Sequence, residues 1–270
     1  MIEEKYLGIK NRIFYKRNSF NPKRQTLVFV HGLSGSSSAW INYEKYFEKK
    51  FNILTFDLRG HGKSFRPKRE EEYLIKNFSK DIYRLVKKEK ISNFILIGHS
   101  FGNFIVLDFF KRYKNLVKAL VLISADAAPA KRKLTKIILP FLWLSKLLNY
   151  FPGIKKEGGH LDYSRYLHSG DWNIRRIIAD VSNTGLRSFL FSTYQIYKFD
   201  MEDSLREIKV PTLIIHGNKD TIFPINSGMK INNSIKNSKF VVFKNSNHII
   251  VLNDFTKLST EINKFVNGLK

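Results

Sequence analysis

Cysteine is absent from the 270 residues. That excludes disulfides, thiolate nucleophiles and zinc–thiolate centres, and leaves no argument for an oxidising compartment. Acidic residues are scarce: 23 Asp and Glu stand against 47 Lys and Arg, a formal charge of +24. Long apolar runs are missing too, since no stretch reaches the roughly 18–20 residues of a membrane span. The start, Met1-Ile-Glu-Glu-Lys5, lacks the basic-then-apolar layout of a secretion signal, so the chain is read as cytoplasmic. No P-loop is present and no G-x-G-x-x-G follows a strand-like run, which leaves no nucleotide cofactor to expect.

A large positive charge can mean attraction to nucleic acid or to an anionic membrane face. Here Lys and Arg are spread along the whole chain. The densest clusters, Lys87-Lys88-Glu89-Lys90 and Lys131-Arg132-Lys133, are short. Nucleic-acid modules focus their charge in a stripe interleaved with aromatics. The expectation is therefore a solvated surface with no nucleic-acid partner.

What is present is enough apolar material, 43% of the chain, for one sizeable core. Strand-like runs occur at Gly8–Tyr15, Thr26–His31, Phe51–Asp57, Phe94–Gly98, Ala119–Ser124, Thr212–His216 and Lys239–Phe243, with helical patterns between them. Several are continuously apolar, as strands covered on both faces are. The alternation predicts an α/β fold: a mostly parallel sheet of roughly eight strands flanked by helices, with ligands beyond the carboxyl ends of the strands.

Between residues 127 and 206 the strand signals stop and an aromatic-rich, helix-prone region takes over. It reads as a helical cap inserted between a first core part, 1–126, and a second, 207–270. Within it Leu134–Phe151 is strongly apolar and 154–169 is polar. Helices are expected over Trp172–Ser182 and Leu186–Phe199, with Asp171 and Thr184 as their caps.

The chemistry concentrates in Phe94-Ile-Leu-Ile-Gly-His-Ser-Phe-Gly102, an apolar strand that runs through Gly98-x-Ser100-x-Gly102 into the helical pattern Asn103–Tyr113. A serine hydroxyl is a poor nucleophile unless it is held on a sharp turn within reach of a base, and flanking glycines make such a turn sterically possible. Further candidates fall at strand ends: His31-Gly32, Asp57, Asp126, Asp220 and His248.

With these pieces in place the chain resembles the α/β-hydrolase family over nearly all of its length apart from the cap. The matching segments are Phe29-Val-His31-Gly32-Leu33, Asp57-Leu-Arg-Gly-His-Gly-Lys-Ser64, Gly98-His-Ser-Phe-Gly102, Gly217-Asn-Lys-Asp220 and Asn245-Ser-Asn-His248. The resemblance implies a triad of Ser100 as nucleophile, Asp220 as acid and His248 as base, in that chain order. Some relatives place the acid after the preceding strand, which here is Asp126. It also implies an oxyanion hole from the backbone amides of Leu33 and Phe101.

Asp57 is expected to brace the Arg59-Gly-His-Gly loop. His31, His61 and His99 are expected to bond backbone or line the pocket, and His216 to be a packed core residue. His160 and His168 lack an acidic partner at metal-ligand spacing, so no metal site is expected.

These readings converge on a cofactor-free serine hydrolase that cleaves a small to medium apolar carboxylic ester through an acyl-Ser100 intermediate. The same triad serves C–C bond cleavage, amide or peptide hydrolysis and perhydrolysis, and the fold also supports slow-turnover ligand receptors. The segment Leu134–Phe151 is expected to roof the pocket, with Trp143 and Leu147 beside His31 as substrate contacts. Its rival role is a weak contact with a membrane surface.

Overall fold

Apolar residues in the central strands alternate between two cores, which is why those strands read as unbroken hydrophobic runs. Leu27 and Phe29 face one side while Val28 and Val30 face the other; Ile95 and Ile97 are set against Phe94 and Leu96 in the same way. The structure is a computed structural model and describes residues 2–152 and 158–269. Eight strands form the sheet: β1 (Ile2–Leu7), β2 (Ile13–Asn18), β3 (Thr26–Val30), β4 (Asn52–Phe56), β5 (Phe94–His99), β6 (Val117–Ile123), β7 (Thr212–Gly217) and β8 (Ser238–Phe243). Their order is β1-β2-β4-β3-β5-β6-β7-β8. β1 and β2 pair antiparallel, as do β2 and β4, and every other pairing is parallel.

Helices α1 (Ile41–Phe47), α2 (Ile75–Lys88) and α3 (Phe101–Tyr113) belong to the first part of the chain. The segment between β6 and β7 carries α4 (Lys133–Leu144), α5 (Ile174–Thr184) and α6 (Leu186–Lys198) with short 3-10 turns, and among the described residues it contains no strand. After β7 come α7 (Ile225–Ser234), the short α8 (Ile250–Asn253) and α9 (Phe255–Asn267). In α2 the buried residues Ile75, Phe78, Ser79, Ile82, Leu85 and Val86 recur at helical spacing and dock it, beside α3, on one face of the sheet. Tyr43 and Phe47 of α1 join Leu258, Ile262 and Val266 of α9 on the other.

Two expectations about elements change. The run Gly8–Tyr15 is not one strand: it crosses the turn between β1 and β2, where Gly8 has φ +82°. β1 left little mark in the sequence because it is an edge strand whose Glu3 and Glu4 are exposed. The caps of α5 and α6 also differ. Asn173, not Asp171, accepts the Arg176 amide at 2.9 Å to start α5, and Thr184 ends that helix, Gly185 starting α6. Of the polar stretch 154–169, residues 154–157 lie outside the described residues.

Candidate active site

β5 ends in a turn that only this glycine pattern permits. A Cβ on Gly98 would lie 2.8 Å from Val106 Cγ2, and one on Gly102 would lie 2.5 Å from the Val30 carbonyl oxygen. Between them Ser100 sits at φ 52°, ψ −118°, a strained conformation for a residue with a side chain. Its amide donates to Ile123 O at 3.0 Å and Asn103 Nδ2 donates to the same carbonyl at 2.7 Å, so the turn is tied to the end of β6.

The loops after β7 and β8 bring the partners. His248 Nε2 lies 2.7 Å from Ser100 Oγ, and His248 Nδ1 lies 2.8 Å from Asp220 Oδ2. Ser100, Asp220 and His248 are all nearly buried. Asp220 also accepts from the amides of Ile222 and Phe223 at 3.0 and 2.8 Å, and His216 Nε2 stands 3.3 Å from it. Burial opposes ionisation of this carboxyl. The hydrogen bonds from His216 and His248, the His248 charge and the Phe223 amide outweigh it and hold Asp220 well below the usual carboxylate range.

Asp126 is occupied elsewhere. It pairs with Arg132 and accepts from Ser227 Oγ at 3.1 Å and from the Ala128 amide at 2.9 Å. The structure thus brings Asp220, and not Asp126, to His248.

The backbone of His248 is clamped on both sides. Its N–H donates to Asp171 Oδ1 at 2.7 Å, while its carbonyl accepts from His99 Nε2 at 3.0 Å and Ser124 Oγ at 3.3 Å. The second oxygen of Asp171 accepts from the amide and hydroxyl of Thr221, next to Asp220, at 2.9 and 2.7 Å. One buried carboxylate from the β6–β7 segment therefore joins the acid loop to the base loop. His99 bonds backbone, one of the two roles expected of it; the sequence reading missed Asp171, Ser124 and His216 in these roles. The four-residue spacing of His216 and Asp220 was the one local signal available.

On the opposite side of Ser100 the turn after β3 packs close, for a Cβ on Gly32 would lie 3.3 Å from Ser100 Cβ. Leu33 follows Gly32 in that turn. Phe101 is the first residue of α3, so its N–H is among those a helix leaves without an internal acceptor.

Of the two roles expected of His31, bonding backbone and lining the pocket, the structure shows the first and not the second. His31 is 1% exposed, its Nε2 accepts from the Leu58 amide at 3.0 Å and its Nδ1 donates to Gly32 O at 2.8 Å. Both nitrogens are used on backbone, so the ring braces the turn. Burial pushes its pKa down to about 4, and likewise takes His61 and His99 to about 3.

Asp57, fully buried, accepts from the Ser37 and Lys63 amides at 2.7 and 2.8 Å and stands 2.8 Å from His160 Nε2. It joins three loops at once. Further bonds link the β6–β7 segment to the rim of the site: Ser38 Oγ to Leu161 O at 3.1 Å, Thr184 Oγ1 to Ser34 O at 3.1 Å, and Asn247 Nδ2 to Ser169 O at 2.9 Å.

Trp143 and Leu147 correct a second expectation. They are 55% and 56% exposed, so the structure does not pack them over Ser100. The buried positions in this stretch are Thr135 and Ser145. A run apolar nearly all round gave no direction from which to tell the inward side.

A model of the α/β hydrolase fold matches residues 25–161 and 158–255. Over 259 residues the chain is 28% identical to an AB hydrolase superfamily protein of Bacillus subtilis, covering 90% of this chain and 91% of that one. It is 25% identical to a proline iminopeptidase of Saccharolobus solfataricus, over 98% of this chain and 92% of the relative. An esterase of Exiguobacterium antarcticum has a similar fold, with a TM-score of 0.76 over 96% of both chains at 22% identity. Among the described residues no helix is long and apolar enough to cross a membrane.

Proposed function

This chain belongs to the α/β-hydrolase fold family, and on that premise we propose that it hydrolyses carboxylic esters through an acyl-Ser100 intermediate, with the segment 127–206 as a cap. The observation that carries this reading is the continuous relay Ser100 Oγ, His248, Asp220, with contacts of 2.7 and 2.8 Å, on a strained turn.

In that reading Ser100 Oγ attacks the ester carbonyl carbon while His248 Nε2 takes its proton. Asp220 keeps the proton on Nδ1 and stabilises the imidazolium. The carbonyl oxygen becomes an oxyanion, for which the N–H groups of Phe101 and Leu33 serve as donors in this reading. Collapse breaks the bond to the alkoxide, which leaves with the proton from His248. A water molecule then repeats the sequence on the acyl-enzyme, releasing the acid and restoring Ser100. Each step uses groups of the chain, the ester and water.

The aromatic packing behind the triad favours an apolar acyl or alcohol part. Phe223 packs edge-on against the His248 ring at 5.3 Å between centroids and against Phe104 at 5.8 Å. Phe101 continues that packing toward Phe78. Esters are favoured over amides because an alkoxide is a far better leaving group than an amine anion and the ester carbonyl is less stabilised by resonance, while His248 supplies one proton in either case.

The test is turnover of matched p-nitrophenyl esters, thioesters and anilides. Ester turnover with repeated release of alcohol is the expected result. Faster anilide hydrolysis would assign the site to amides, in line with the iminopeptidase relative. A single stoichiometric release would assign it to a slow-turnover binding protein.

A further inference from the structure

Helix α4 and the turns after it present their apolar side outward. Leu134, Ile137, Phe141 and Leu144 recur at three- and four-residue spacing, and each is at least half exposed. Trp143, Leu147, Tyr150 and Phe151 extend the same exposed surface, Tyr150 and Phe151 being 87% and 61% exposed. The side facing the protein holds Thr135 and Ser145, buried, with Ile138, Leu142 and Leu148 partly covered. This inverts the usual arrangement of a surface helix, in which the apolar stripe points to the core. The exposed area is on the order of several hundred Å², the size at which an apolar patch marks an interaction surface.

The charges carried by the segment itself are of one sign. From residue 133 to 152 there is no Asp or Glu, while Lys133, Lys136 and Lys146 are interspersed with the apolar residues. Lys133 and Lys136 are exposed and make no ion pair among the described residues. Lys146 reaches Glu70 only at 3.7 Å. A second copy of this chain would bring like charges together on a molecule already at +24. An anionic lipid surface would meet both features at once, with acyl chains for the apolar side chains and headgroup charge for the lysines.

We propose that residues 133–151 form a docking face for anionic lipid bilayers, with α4 lying in the plane of the interface. At 12 residues α4 is about 18 Å long, enough to lie along the surface and too short to cross it. Leu134, Ile137, Phe141 and Leu144 enter the acyl boundary, and Lys133 and Lys136 stay at headgroup level. The inference rests on this surface and not on the ester-hydrolase reading.

The experiment is co-sedimentation of full-length Ser100→Ala protein, in which turnover plays no part, with vesicles of phosphatidylcholine alone or with about one-third phosphatidylglycerol. Binding is expected on the mixed vesicles and weakly on phosphatidylcholine, with a blue shift in tryptophan emission that Trp143→Phe removes. Phe141→Ser with Leu144→Ser should weaken binding more than tenfold, and Lys133→Glu with Lys136→Glu by at least fivefold per charge. These positions are exposed, so circular dichroism and thermal unfolding should be unchanged. Failure to bind mixed vesicles, or binding indifferent to these substitutions, would overturn the proposal. So would a dimer in sedimentation velocity that Phe141→Ser abolishes, because the face would then belong to a second copy.

Discussion

Asp171 accepts the backbone N–H of His248 at 2.7 Å, although 77 residues separate them, and with its other oxygen holds Thr221 beside Asp220. The spacing between acid and base loops is thereby set by a carboxylate from the β6–β7 segment. An amide at this position has one acceptor oxygen and an NH2 that cannot serve the remaining donors. Asp171→Asn should lower kcat for esters by about 10–100-fold, as expected for a buried donor left unpaired, with KM changed less than kcat. Phosphonylation of Ser100 should slow in parallel. An unchanged kcat would mean the loops hold their spacing without this bridge.

The two candidate acids separate cleanly. Asp220→Asn removes the charge that stabilises the His248 imidazolium and should cost about 10⁴ in kcat, the scale of an acid-to-amide change in a serine triad. Asp126→Asn loosens Arg132 and Ser227 and should leave kcat within about threefold, a change below 1 kcal/mol. Steady-state kinetics on one ester decides between them, and the reverse ranking would contradict the geometry.

The buried histidines make stability depend on pH. His31 is held at about 4 and His61 and His99 at about 3, all mainly by burial, against about 6.5 when unfolded. Their neutral forms stabilise the fold fully above about pH 6.5, and that stability is lost as pH falls toward the folded values. Asp180 acts in the other sense. Burial raises it to about 6, so the folded chain takes up one proton there before the unfolded chain does. Three protons taken up by the unfolded state less one by the folded state leave two, or about 3 kcal/mol lost per pH unit near pH 5–6. Below about pH 4 the depressed carboxyls of Asp57 and Asp220 add to the loss. Urea unfolding at a series of pH values measures the slope, and a flat profile from about pH 7 to 5 would contradict it.

Two phenylalanines of the same size should respond oppositely to truncation. Phe104 is fully buried among Phe101, Phe199 and Phe223, and Phe104→Ala should cost about 3–5 kcal/mol. Phe141 is 70% exposed, and Phe141→Ala should stay within about 0.5 kcal/mol. Denaturant midpoints report both, and a large loss at Phe141 would mean that α4 is packed inward.

The parts legible in the sequence are those in which local pattern and tertiary role coincide. β3, β5, β6 and β7 are covered on both faces, so burial wrote itself into them as continuous apolar runs. The Ser100 turn was legible because its glycines are dictated by backbone contacts a few ångströms away. β1 was not, since an edge strand needs no apolar face. Asp171 and Ser124 hold His248 through its main chain, and a main-chain partner leaves no residue type to recognise; His99 was expected to bond backbone, but not which carbonyl. The direction of α4 was hidden for a different reason: its pattern is apolar on most sides, and only packing decides which side faces out.

The central claim is that Ser100 is a nucleophile activated by His248. Fluorophosphonate labelling followed by peptide mapping tests it most directly, because ordinary hydroxyls do not react. The account predicts one phosphonyl group on Ser100, absent in Ser100→Ala and formed far more slowly in His248→Ala. Label that maps to another residue, or that persists undiminished in Ser100→Ala, would contradict it.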